Sequence, residues 1–174
     1  EFFSGIFDGM STGAPIAFII RNEDQRSSDY DQLASTFRPS HADYTYHQKY
    51  GIRDHRGGGR SSARETAARV AAGALAKIYL GGFGIEIRAT AEQIGPFRVT
   101  ESPAAAMNPL FFDPGEEVLS FLKELRENGD TTGRIVSCRI TGVPPGLGEP
   151  VFDKLQSDLA KAMLSINSVK GFEY

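Results

Sequence analysis

The sequence has a single cysteine, Cys138, among 174 residues, so no disulfide framework and no thiolate metal cluster is open to it; this usage fits a reducing compartment, the cytoplasm. No apolar run approaches the ~20 residues that span a bilayer, which removes the helical membrane protein as a reading. An excess of positive charge is missing as well. Nineteen Lys+Arg stand against 22 Asp+Glu, a formal −3, which argues against a protein that coats nucleic acid or an anionic membrane. The opening Glu1-Phe2-Phe3-Ser4 is neither basic nor signal-like and the first methionine is Met10, so the expectation is a portion of a longer chain. At 40% hydrophobic and 24% charged residues the sequence is too apolar for disorder, and one domain over residues 1–174 with a core of its own is expected.

The mean charge hides an island. Residues 38–69 hold seven basic side chains (Arg38, Lys49, Arg53, Arg56, Arg60, Arg64, Arg69) against Asp43, Asp54 and Glu65, a local +4 that leaves −7 for the remainder. All three histidines, His41, His47 and His55, fall in the same window. The chemistry is expected there.

Period and punctuation organise the rest. Residues 14–20, Ala-Pro-Ile-Ala-Phe-Ile-Ile after a turn-rich entry, predict a short buried strand, and residues 29–37 a short helix. No period is sustained over residues 38–60, where Gly57-Gly58-Gly59 marks a loop of backbone freedom. Residues 63–80 are alanine-rich and place Ala67, Val70, Ala71, Ala74, Leu75 and Ile78 on one face, with Ser62 and Glu65 in a capping-box pattern, so a helix should begin just after Ser62. Residues 84–90 alternate as a strand. Asp113-Pro114-Gly115-Glu116 starts a second helix with Val118, Leu119, Leu122 and Leu125 as its stripe and Gly129 as its stop. Residues 135–141 predict a half-buried strand in which Cys138 is a small buried hydrophobe, and residues 152–166 a third helix. Hairpin-type strands beside separate helices indicate α+β rather than a βαβ series.

Two segments carry candidate chemistry. Gly57-Gly58-Gly59-Arg60-Ser61-Ser62-Ala63-Arg64 leads glycines, hydroxyls and two guanidinium groups into a helix N-terminus, an assembly suited to phosphate or carboxylate. It lacks the Gly-Lys-Ser/Thr of a Walker loop and the Rossmann fingerprint. A flexible loop before an ordinary capped helix accounts for the same residues, and composition leaves the choice open. In Arg38-Pro39-Ser40-His41-Ala42-Asp43-Tyr44, the imidazole of His41 is a side chain that can give or take a proton beside a ligand, with Asp43 to orient it; a satisfied, partly buried histidine is the plainer alternative. Spacings of six and eight among the histidines match no metal-ligand pattern, so no metal is expected. The aromatics and cations from Tyr44 to Arg60 would suit a nucleic-acid surface, but the acidic remainder opposes it.

At these residues a resemblance emerges. Gly13-Ala14-Pro15-Ile16-Ala17, the Arg-Pro-Ser-His-Ala-Asp-Tyr box, Tyr50-Gly51-Ile52-Arg53-Asp54, residues 57–65 and Ser165-Ile166-Asn167-Ser168-Val169-Lys170-Gly171 resemble chorismate synthase, in the family's order and spacing. The resemblance implies a carbon–oxygen lyase of the shikimate pathway and of aromatic amino acid biosynthesis. Such a lyase removes phosphate and a ring proton from 5-enolpyruvylshikimate 3-phosphate by anti-1,4-elimination and depends on reduced FMN. It implies a β-α-β sandwich of antiparallel sheets and helices, and a homotetramer in the cytoplasm with neither nucleic acid nor membrane as partner.

Residue by residue, the resemblance makes His41 the active-site histidine beside the flavin. It makes Arg60, Ser61, Ser62, Asn167 and Ser168 FMN contacts, Ser168 replacing the family's usual Ala, and it turns Ala63 and Arg64 toward the substrate. It also implies a central portion of the family's chain. An N-terminal box with a second catalytic histidine, the arginine-rich segment after it, and a C-terminal flavin segment with a catalytic aspartate have no counterpart in these residues. The 174 residues alone are therefore expected to bind FMN weakly and turn over little. The alternative is an FMN- or anion-binding fragment, or an assembly module, without chemistry.

Overall fold

The computed structural model describes residues 1–23, 26–57, 59, 61–98 and 115–174. In chain order, β1 (Phe2–Ser4) pairs antiparallel with β4 (Ala17–Phe18), and between them β2 (Ile6–Phe7) pairs with β3 (Met10–Ser11). A 3-10 helix covers Ser27–Leu33 and α1 covers Asp43–Tyr50. Ser62 caps the next element: its Oγ accepts the Arg64 N–H at 3.3 Å, a 3-10 turn occupies Ala63–Glu65, and α2 runs Thr66–Gly81. Then come β5 (Glu86–Ile94), β6 (Phe97–Arg98), α3 (Gly115–Glu127), β7 (Arg134–Thr141), the ladder of β8 (Gly148–Glu149) with β9 (Asp153–Lys154), and α4 (Leu155–Leu164). Every pairing among the described residues is antiparallel and the helices stand apart from the strands in sequence, an α+β chain as the punctuation predicts.

The chain divides into two compact units, one made of Glu1–Leu75 with Gly146–Tyr174 and the other of Ala76–Pro145. In the second unit the sheet order is β6-β5-β7, with β5 and β7 in register from Glu86↔Thr141 to Ile94↔Arg134 across an irregularity between Ala91 and Gln93. Its packing centre is Val118 of α3, 5% exposed, with Phe121 edge-on to Phe97 of β6 at 5.3 Å between ring centroids. All candidate site residues belong to the first unit.

Several elements differ from expectation, each for a physical reason. Residues 14–20 supply only the two strand residues Ala17–Phe18, and Ile19 and Ile20 are exposed, because the strand has one short partner and no layer on it among the described residues. The helix expected at residues 29–37 is the 3-10 helix Ser27–Leu33. Helix α1 falls in the stretch read as aperiodic, since its apolar content is three tyrosines on a polar frame and makes no stripe. Asp43 in its first turn complements the helix dipole and Gly51, at φ 74°, ends it in the left-handed conformation. Cys138 is exposed rather than buried, and most of β7 is exposed with it. The third helix is shorter than residues 152–166, at Leu155–Leu164. The stripe of α2 exists as predicted but lies open: Val70 is 71% and Ile78 76% exposed. Asp113 and Pro114, read as the start of α3, lie outside the described residues.

Candidate active site

The segment before α1 folds back on itself. The His41 N–H donates to the Arg38 carbonyl at 3.3 Å, with Pro39 at the second position of the turn and Ser40 at φ 59° in the third, the pattern of a type II turn. This brings the Arg38 and His41 side chains to the start of α1, where Asp43 waits. Arg38 grips that carboxylate with both arms of its fork, Nε to Oδ2 at 2.8 Å and Nη2 to Oδ1 at 3.1 Å, while His41 Nδ1 sits 2.8 Å from Oδ1. Asp43 is 2% exposed, the one buried polar residue among those described. An anion so enclosed is tolerable only because it is paired and hydrogen-bonded. The Arg38 hydrogen bonds hold its carboxyl down to about 2 against the opposing effect of burial, with the charges of His41 and Arg38 adding to them.

Arg53 closes the cluster from behind. Its side chain is only 9% exposed, and its Nη2 donates to the carbonyls of Leu33, Ala34 and Thr36, the last at 2.6 Å. Its guanidinium lies over the Phe37 ring at 4.7 Å, and its Nη1 is 3.8 Å from Asp43 Oδ2 without a hydrogen-bond partner. Arg53 thus ties the end of the 3-10 helix to the residues around His41, a charge used as a structural brace. Sequence reasoning counted Arg53 in the basic island without assigning it a role. Its place in Tyr-Gly-Ile-Arg-Asp just after α1 was the available signal.

One aromatic ring joins this cluster to the glycine loop. Arg38 stands over the Tyr30 ring at 5.7 Å, and Gly57 packs against the same ring so closely that a Cβ there would lie 2.7 Å from Cζ. Gly57 also has φ +82°, where an L side chain is strained. Replacing Gly57 with Ala should therefore lower unfolding free energy by about 2–4 kcal/mol, from left-handed strain and a displaced ring together, and an unchanged urea midpoint would refute it. Beyond Gly57 the loop opens, with nothing within 4 Å of where a Cβ on Gly59 would stand. Ser61 and Ser62 are half-buried and Ala63 opens the 3-10 turn. Arg60 lies outside the described residues.

Arg64 donates Nη1 to the Asn22 amide oxygen, a neutral partner that leaves the guanidinium charge uncancelled by that bond. Arg56 and Arg69 differ, paired with Asp54 at 2.8 Å and Glu65 at 2.9 Å. The Asp54 carboxyl is held well below the ordinary range by its hydrogen bonds from Arg56. Arg69 also reaches the far end of the unit, Nη1 to Ser165 Oγ at 2.7 Å, which ties α2 to the end of α4. Asn167 and Ser168 follow immediately, both exposed, with Ser168 at φ 70°. The described residues therefore hold the His41 cluster and the Gly57 end of the loop in one contiguous set of contacts, while the Asn167-Ser168 segment is linked to α2 through Ser165. A hollow of ≈ 510 Å³ between Gln93, Gly95, Pro96 and residues 132–135 belongs to the other unit and contains none of these groups.

The family model described as chorismate synthase matches residues 1–174. The chain belongs to the chorismate synthase family. It is 58% identical, over its whole length, to a chorismate synthase of Cytophaga hutchinsonii, of which it covers 51%. It is 54% identical over 99% of its length to one from an Azoarcus species, covering 47% of that protein. A crystal structure of chorismate synthase superposes with a TM-score of 0.74 at 33% identity, over 98% of this chain and 53% of the other. The chain thus spans about half the length of the chorismate synthases it matches.

For a flavin phosphate or a phosphorylated substrate, the donor set at the start of α2 is chemically apt. Ser61 and Ser62 hydroxyls, the Arg64 guanidinium and the open backbone at Gly59 border one helix N-terminus, so the residues present fit an anionic group.

Proposed function

We propose that the protein is a chorismate synthase, removing phosphate and a ring proton from 5-enolpyruvylshikimate 3-phosphate to give chorismate. The observation that carries this reading is the Tyr30 bridge, by which Gly57, the first residue of the glycine loop, and the Arg38–His41–Asp43 cluster pack on one ring. A proton-exchanging imidazole and an anion loop in one set of contacts are what an elimination of phosphate needs. Arg64 and Ala63 bind the substrate, Arg64 through a charge its Asn22 bond leaves available. Arg60, Ser61 and Ser62, with Asn167 and Ser168 beyond α4, bind reduced FMN. That cofactor, when bound, supplies electron density transiently to a reaction without net redox change. His41 acts beside it, giving or holding a proton at an imidazole nitrogen. The cytoplasm is the compartment, and the open apolar face of α2, with Val70 and Ile78 exposed, supports assembly as a homotetramer.

The test is anaerobic assay of the full-length protein with reduced FMN, following phosphate and chorismate together. Both ligands bound with no phosphate released would sink the enzyme in favour of a binding module. In the same assay, replacing Arg64 with Ala should raise the KM for substrate about 10-fold or more, and replacing Arg60 should weaken FMN to a similar degree, each the loss of one charge-assisted contact. The reverse pattern would mean that the two ligands are exchanged.

A further inference from the structure

We propose that Arg69 is a positioning residue for the flavin contacts: it holds the Asn167–Ser168 turn against the start of α2, so that residues 60–62 and 167–168 form one site. This rests on the reading of those two segments as flavin contacts given above. Asn167 and Ser168 are the central pair of a tight turn. The Val169 N–H donates to the Ile166 carbonyl at 3.2 Å, and Ser168 stands at φ 70° in the third position. The turn is exposed and follows α4 through Ser165 and Ile166, whose N–H groups donate to carbonyls of the last helical turn, Ser165 to Lys161 at 3.2 Å and Ile166 to Met163 at 3.1 Å. Ser165 has a partner beyond its own helix as well. Its Oγ donates to the Ala162 carbonyl at 2.7 Å and accepts from Arg69 Nη1 at 2.7 Å, so the hydroxyl is used in both senses. Among the described residues no other side-chain hydrogen bond or ion pair joins α2 to residues 155–169.

The same guanidinium reaches the first segment. Side chains on a helix lean toward its N-terminus, and Arg69, in the first turn of α2, forms an ion pair with Glu65 one turn back, Nε to Oε1 at 2.9 Å. Glu65 is fixed on the turns that carry the hydroxyls: its N–H donates to the Ser62 carbonyl at 3.2 Å, and the Ser62 N–H to the Gly59 carbonyl at 2.9 Å. The Glu65 side chain is only 14% exposed. One arginine therefore spans from the turn of Ser61 and Ser62 to the hydroxyl that introduces Asn167 and Ser168, all within one compact unit. A ligand that touches both segments gains when their separation is set beforehand, because the cost of ordering them is then met in folding and not on binding.

Hydrogen exchange of the full-length protein without flavin reads the hold on the turn, and anaerobic titration with reduced FMN reads its consequence. In Arg69→Leu the backbone amides of residues 165–169 should exchange about 5-fold faster, while those of α1 keep the wild-type rate. The Kd for reduced FMN should rise about 5- to 20-fold, the loss of one charge-assisted bond, with the KM for substrate at saturating FMN within about twofold of wild type. Ser165→Ala, which removes the acceptor, should reproduce both changes, and the double variant should be no looser than either single one. Ser165→Thr, which keeps the hydroxyl, should restore the affinity. A role confined to stability would lower the urea midpoint and leave the Kd of the folded protein unchanged; that result, or unchanged exchange at residues 165–169, overturns the proposal. Should Arg69→Leu fail to fold, Ser165→Ala and Ser165→Thr carry the same test. A wild-type protein that binds no FMN counts against the flavin reading alone, and the exchange rates still decide whether Arg69 holds the turn.

Discussion

Replacing His41 with Ala in the full-length protein should lower turnover by about 10²–10⁴-fold while leaving the KM for substrate within a few-fold, the signature of a lost proton-exchanging group rather than a lost binding contact. The structure supports a selective loss. The cluster has a frame besides His41: Arg38 and Asp43 bond each other directly at 2.8 and 3.1 Å, and Arg53 braces both the 3-10 helix and the space behind Asp43. Removing the imidazole leaves that frame and the loop against Tyr30 in place. Steady-state phosphate release under anaerobic conditions, with reduced FMN saturating, gives both constants. A wild-type rate would show that His41 is a satisfied, partly buried histidine, and a KM raised as much as turnover falls would make it a binding residue.

The two candidate segments were legible in the sequence because both depend on local chemistry. Ser62 at a helix start, glycines before it and a histidine two residues from a carboxylate each announce themselves within a ten-residue span. The structure adds what spans cannot carry. Tyr30, 27 residues before Gly57, is the surface on which the two segments meet, and nothing in Ser28-Asp29-Tyr30-Asp31 marks it. The bond from Arg69 to Ser165 crosses 96 residues and could not be read from either neighbourhood. Burial was the weakest inference. The stripe on α2 and the alternation in β7 correctly located a helix and a strand, yet Val70, Ile78, Ile135 and Val136 are all more than half exposed, because periodicity reports which face seeks cover and not whether this stretch of chain provides it.

The basic island also changes meaning once its partners are known. Summed, it is +4; resolved, its charges do different work. Arg38 and Arg53 surround Asp43, Arg56 is matched by Asp54 and Arg69 by Glu65, while Arg64 bonds the neutral amide of Asn22. The net charge of the window therefore says less about ligand binding than the location of the cation whose partner carries no charge. That cation sits in the 3-10 turn Ala63–Glu65 that leads into α2, where an anion gains from both the guanidinium and the backbone dipole.

Replacing Asp43 with Ala should cost about 3–5 kcal/mol of unfolding free energy, the penalty for removing one partner of a buried charge pair and leaving the others behind. Two guanidinium groups lose their carboxylate in this case, and Arg53 is the more exposed to the loss in energetic terms, since its side chain is 91% withdrawn from solvent and its Nη1 has Asp43 as its nearest anion at 3.8 Å. Acid should reproduce the effect by degrees. The Asp43 carboxyl, held down to about 2 in the folded protein, titrates near ~4 when unfolded, so its contribution is complete above about pH 4 and is lost as pH falls through about 2. Urea unfolding of wild type and variant, followed by far-UV circular dichroism at pH 7 and at steps down to pH 2, should show a gap that is widest near neutrality and narrows across that window. A gap that stays constant to pH 2 would mean that the loss comes from the missing volume of the side chain and not from its charge.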